Sequence, residues 1–298
     1  MSDRNSSREK TLLLVQFSIL LAIEAIVCFT PLGSIPLAPP MIVATLGMIP
    51  VVVAAILLGL WAGALMGAFA GMFSLIVWTL MPPSPLMAFV FTPFASVGDA
   101  HGNFWSLLIC FAPRVGVGVV TACLFALFRK ILNPDDTRVW AKYLISALVT
   151  SAIVTAILAI IIYIVGTRVF GAGLDASNYW VVVVVLFVAL AVLFYLLFKK
   201  FVKPETAADI VSYGASAVAG SMTNTICVLG GIYLFFGHSY AEAFRIGYDA
   251  MMGVIGLSVI TNGVPEAAIS ALCAYFIARI IMKRKEYGDE SRRAAGRS

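Results

Sequence analysis

Arg114 is the only charged residue in the apolar run from Phe104 to Phe128. A guanidinium does not lose its charge, and at the centre of a bilayer it costs roughly 2.5–3.5 kcal/mol on insertion scales. Such a group faces the interior of a helix bundle or a water-filled cavity. There it meets a carboxylate, a backbone carbonyl or an anionic ligand. Pro113, immediately before it, removes a backbone N–H and loosens the helix at the same depth. The chemistry implied is recognition of an anion by a fixed positive charge inside the membrane.

A second polar group is the run Ser221-Met222-Thr223-Asn224-Thr225. Ser221, Asn224 and Thr225 are three and four positions apart, so they share one helix face. Thr223 points elsewhere and can bond its own backbone. At about 1.5 Å per residue, Arg114 and Asn224 lie roughly 15 and roughly 18 Å below the outer ends of their spans, so they can meet at one level. Bonding between helices and contact with a ligand are both open to Asn224. Glu24 sits shallower, and a salt bridge to Arg114 would make both residues structural. Glu266 follows Pro265, where a carboxylate either caps a helix N-terminus or faces a substrate. Pro50, placed mid-span, is expected to free the carbonyl of Leu46. With Thr45 it can line the same cavity. Arg279, near a span end, is expected to snorkel to the interface.

The elements that position these residues must be membrane helices. The chain has 298 residues, 61% hydrophobic and 12% charged, with a mean hydropathy of +1.01. Apolar runs near twenty residues recur along it without period-two alternation, which points to a helical bundle and away from a β-barrel. We read eight spans: 11–30, 41–59, 61–80, 104–128, 141–166, 179–199, 210–236 and 265–283. The formal charge of +5 does not indicate nucleic acid. Lys and Arg gather at the N-terminus, in 129–142, in 199–203 and in the tail, leaving the alternate connections nearly bare. By the positive-inside rule both termini are cytoplasmic, and the basic face meets anionic lipid. Trp78, Trp105 and Trp180 are expected as interfacial aromatics at the outer boundary. The first run, with Glu24 and no clear small-residue cleavage site, reads as an uncleaved span.

The expected outside connections are 31–40, 81–103, 167–178 and 237–264. The segments 31–40 and 81–103 are rich in Pro and apolar residues, so each either folds over the bundle as a lid or packs on the membrane surface. The stretch 241–264 is expected as a short external or re-entrant helix, broken from the last span by Asn262, Gly263 and Pro265. One long helix kinked at Pro265 is the competing reading. Gly59, Gly63, Gly67 and Gly71 form a stripe for close helix packing, inside the bundle or against another subunit. Spans five and six are Val-, Ile- and Ala-rich and read as lipid-facing.

The sequence contains no GxxxxGK[ST], no HExxH and no cluster of metal ligands. Cys28, Cys110, Cys123, Cys227 and Cys273 all lie in apolar runs without a CxxC pair, and His101 and His238 are expected in the outside loops. No nucleophile, base and orienting group assemble. The expectation is a transporter subunit rather than an enzyme, without a cofactor.

Three stretches resemble the substrate-binding S components of energy-coupling factor (ECF) vitamin transporters. They are Thr30-Pro31-Leu32-Gly33-Ser34-Ile35-Pro36 followed by the glycine stripe; Pro113-Arg114-Val115-Gly116-Val117-Gly118; and Gly220-Ser221-Met222-Thr223-Asn224-Thr225 with downstream Asn262 and Glu266. The resemblance implies a six-helix core at 1–130 and 205–283, with 139–203 an inserted hairpin and 284–298 a basic cytoplasmic tail, in one membrane domain of a bacterial or archaeal plasma membrane. It implies a substrate site from Arg114, Asn224, Thr225, Ser221, Thr45, Asn262 and Glu266. Ser34 and Pro36 belong to the implied lid. The implied partners are a coupling membrane subunit, docked at Ser18, Ala22 and Ala25, and two cytoplasmic ATPases that supply ATP hydrolysis. Among the family's substrates, a small carboxylate vitamin such as pantothenate fits a single arginine best. An ion-coupled secondary transporter or channel for a small anion is the alternative, with Glu24 or Glu266 as its ion site.

Overall fold

The computed structural model describes residues 2–30, 35–38, 42–44, 46–132, 138–169, 176–282 and 284. Seven helices among them are long and apolar enough to cross a membrane, so the chain is an all-α, multi-pass membrane protein. These are α1 (Ser2–Phe29), α3 (Leu60–Leu80), α5 (Phe104–Ile131), α6 (Val139–Val169), α7 (Ala176–Phe201), α8 (Pro204–Ala243) and α9 (Tyr248–Met282). Two shorter helices, α2 (Met48–Leu58) and α4 (Ala88–Phe91), complete the set. Two small antiparallel hairpins join them: β1 (Ile35–Ala38) with β2 (Ile42–Ala44), and β3 (Ser96–Val97) with β4 (Ala100–His101).

The expected second span, 41–59, is shorter in the structure. Ile42–Ala44 pairs as a strand, and α2 has 11 residues, about 16 Å at 1.5 Å per residue. Pro50 therefore sits in the first turn of α2, where its missing N–H breaks no helical bond. The Leu46 carbonyl is not freed, because it accepts from the Ile49 N–H at 3.2 Å. Val51, Val52, Val53, Ala54, Ala55 and Ile56 are all buried, so α2 is apolar on every side and runs through the core. Gly59 separates α2 from α3 with φ 90°, a conformation that favours glycine. It is a turn residue and not part of the packing stripe.

The expected external segment 241–264 is also revised. A short turn at 244–247 joins α8 to α9, and α9 then runs unbroken from Tyr248 through Pro265. The π turn Val259–Gly263 precedes the proline, and such local adjustments re-satisfy groups that a proline frees. The single long helix is the arrangement found.

The other glycines of the stripe serve packing within the bundle. Gly63 and Gly67 lie against the α5 backbone at Gly118 and at Arg114, and a Cβ on Gly71 would meet the Phe111 ring at 2.9 Å. α7 exposes Val181, Val184, Val185 and Val188 and packs mainly on α6, as expected for a lipid-facing hairpin.

Arg279 does not extend freely. Its Nε donates to Asp209 Oδ2 at 2.8 Å, and Arg129 Nη1 lies 3.8 Å from Asp209 Oδ1. This ties α5, α8 and α9 together at the basic end of the bundle. Replacing Asp209 by Asn is expected to lower stability by about 1.5–3 kcal/mol, the usual size of a lost hydrogen bond to a charged group. Thermal unfolding in detergent measures it.

Candidate functional site

The site is built on the close approach of α3, α5 and α8. Without a side chain at Gly67, the Arg114 backbone touches α3. On its other side, α5 meets α8 where Gly220 lies against Thr121 Oγ1 and Gly231 against Ile109. The two helices are antiparallel, so this register sets Asn224 and Thr225 level with Arg114.

Arg114 is 5% exposed. Its side chain turns back toward the N-terminus of α5, as helical side chains do. Nη1 donates to the carbonyls of Ile109 at 3.3 Å and Cys110 at 2.6 Å, and Nη2 donates to Ser74 Oγ at 2.8 Å. The Ile109 carbonyl is the one that Pro113, lacking an N–H, leaves without its helical donor. The Pro113-Arg114 pair is thus self-consistent: the proline frees an acceptor and the arginine covers it. A guanidinium has five N–H groups. The Nε–H and one N–H of Nη2 keep no partner among the described residues.

Arg114 lines a cavity of about 100 Å3. Its polar wall holds Arg114, Asn224, Thr225, Asn262 and Glu266. Asn224 Oδ1 and Asn262 Oδ1 are buried without a hydrogen-bond partner. Buried polar groups are nearly always satisfied, and both residues line this cavity. Asn262 is carried by the π turn of α9, a distortion often found at functional sites. Glu266 lies well inside α9, so it does not cap a free helix end. It is also engaged within the protein.

The remaining expected residues fall elsewhere. Ser221 is buried with its Oγ unpartnered, one turn deeper, and does not line the cavity. Thr45 and Ser34 lie outside the described residues. Pro36 pairs with Val43 in the β1–β2 hairpin, and β2 lies against the π turn that carries Asn262. Ser18 and Ala22 are exposed on α1 and Ala25 is half-buried, all away from the cavity. Glu24 is fully buried and accepts from Cys28 Sγ at 3.1 Å. No hydrogen bond joins it to Arg114 among the described residues.

The apolar wall was not apparent from the sequence. It comes from Trp78, Met87 and Phe91 on one side and from Val228, Leu229 and Ile232 on the other. Trp78 is 5% exposed and stacks on Phe91 at 4.4 Å between ring centroids, so it is not an interfacial anchor. The segment 85–91 folds inward over the bundle: Phe89 and Val90 are fully buried, and Ser106 Oγ donates to the Phe89 carbonyl at 2.7 Å. Within 81–103 this inward roof is confined to 85–91, while Met81 and Phe94 on either side are exposed. Ser258, which also lines the cavity, could have been found by its spacing of four from Asn262 and of eight from Glu266.

The arrangement suits a small amphipathic ligand. An anionic group can take the free N–H groups of Arg114, N–H or O–H donors can reach Asn224 and Asn262, and an apolar body can rest on Trp78 and Phe91. Asn262→Ala is expected to weaken binding of such a ligand about tenfold, one hydrogen bond's worth. Because Oδ1 has no internal partner, the melting temperature should stay within about 2 °C of wild type. Titration calorimetry with a parallel thermal scan reads both.

No family model matches the chain. It is similar to the pantothenic acid transporter PanT of Lactococcus lactis subsp. cremoris (strain MG1363), with 33% identity over 90 residues. Those residues are 30% of this chain and 45% of that protein, so the chain matches less than half the length of its relative.

Proposed function

We propose that this chain is the substrate-binding component of an ECF-type vitamin importer and that it takes up pantothenate or a closely similar small carboxylate. The observation that carries the reading is one cavity lined by Arg114, which keeps uncommitted N–H groups, and by Asn224 and Asn262, whose Oδ1 atoms have no partner among the described residues. Pantothenate offers a carboxylate for the first, amide and hydroxyl donors for the second, and a dimethyl-substituted carbon for the aromatic wall. The similarity to a pantothenic acid transporter supports the same substrate. In this reading the roof at 85–91 and the β1–β2 hairpin shield the bound molecule. The exposed face of α1 around Ser18 and Ala22 is the surface for the coupling subunit.

Reconstitution tests the division of labour. Vesicles holding the chain alone should bind pantothenate without accumulating it. Accumulation should need a coupling subunit, its ATPases and ATP. Concentrative uptake by the chain alone would overturn this.

One observation favours a second reading. Glu24 is fully buried, and its Oε2 has no partner among the described residues. Intramembrane carboxylates of this kind serve as proton or cation sites in ion-coupled transporters. Under that reading, uptake by the chain alone collapses when the proton gradient is dissipated.

A further inference from the structure

The α6–α7 hairpin meets the rest of the bundle at two levels. α6 touches α8 over 204–215 at the basic end and α9 over 251–263 toward the other end. Between them it stands off and leaves a second cavity, of about 520 Å3. Leu124 and Phe128 of α5, Ile153 and Ile157 of α6 and Ala219 of α8 are among its walls, and every lining side chain is apolar. Water would find no polar partner there. Left empty, the walls would forfeit their dispersion contacts.

The dimensions and the charge point to one occupant. The lining runs from Val149 to Ile160 on α6 and from Ala215 to Ile226 on α8, each about 16 Å at 1.5 Å per residue. That is about half of a 30 Å hydrocarbon core, the depth of one leaflet. The end at Phe128 adjoins the basic segment, where Lys130, two residues on, is exposed. Basic groups beside a gap between membrane helices attract anionic headgroups. We propose that this cavity holds one acyl chain of an anionic phospholipid from the leaflet on the basic side, with its headgroup at Lys130. The hairpin is then seated on the bundle partly through a bound lipid.

The test uses the full chain in nanodiscs of dioleoylphosphatidylglycerol and dioleoylphosphatidylcholine in equal parts, released into detergent for native mass spectrometry. Wild type should retain one phosphatidylglycerol per chain. Ala219→Phe, which fills the cavity from α8, should lower that occupancy at least tenfold. Ala156→Leu, a milder filling from the hairpin side, should lower it partially and guards against a folding failure of the larger change. Val185→Phe on the exposed face of α7 should leave it unchanged. Lys130→Gln should remove the preference for phosphatidylglycerol over phosphatidylcholine. Equal lipid retention by wild type, Ala219→Phe and Ala156→Leu would overturn the proposal, as would a wild type that retains no lipid.

Discussion

Arg114→Ala is expected to weaken binding of a carboxylate substrate about 30-fold or more, with the bundle still folded. Truncating one partner of a buried charge pair costs about 2–5 kcal/mol, and each 1.4 kcal/mol is a factor of ten. The fold should survive because the helix contacts at this level run through backbone. Gly67 meets the Arg114 carbonyl region, which the substitution leaves in place. The lost bonds to Ile109, Cys110 and Ser74 should appear as a smaller drop in thermal stability. Arg114→Lys separates the two effects. An ammonium keeps the charge but lacks the planar fork that serves the α5 carbonyls, Ser74 and a ligand together, so it should recover only part of the affinity. Equilibrium binding of radiolabelled pantothenate, beside thermal scans of all three proteins, measures this. Full affinity in the alanine variant would make Arg114 purely structural.

Gly118→Val is expected to abolish assembly of the bundle. A Cβ at position 118 would fall on the Gly63 carbonyl across the α3–α5 contact. Backbone lies on both sides, so no flexible side chain can move aside, and α3 must separate from α5. We expect a loss of at least about 3 kcal/mol, seen as aggregation or a collapsed melting transition, and no substrate binding. Gly230→Ala is the matched control in α8. Nothing lies within 4 Å of a Cβ there, so the variant should behave as wild type or slightly better.

These two variants also mark what the sequence discloses. Arg114, Asn224, Thr225, Asn262 and Glu266 stand out because polar groups in apolar helices need a reason, and the structure brings all five to one cavity. Ser221 stands out equally but misses the cavity. It lies a turn deeper, where the Gly220–Thr121 contact closes α8 onto α5. The apolar wall is silent in the sequence, since Trp78 at a span end looks like any interfacial tryptophan. Only the inward fold of 85–91, fixed by Ser106 and by Phe89 in the core, gives it a partner. Helix lengths failed for a related reason. Asn262, Gly263 and Pro265 read as breakers, yet a π turn holds the first two and the proline follows it within one helix. Ile42–Ala44 read as the start of a membrane helix, because strand and helix are equally apolar there.

The most direct test of the account is native mass spectrometry of the purified chain, alone and without ATP or an ion gradient, against a panel of vitamins and other small anions. One small carboxylate vitamin bound per chain, with pantothenate the expected mass, is the result predicted by the cavity at Arg114. No retained or added vitamin across the panel, together with gradient-driven anion flux in vesicles of the same preparation, would contradict it.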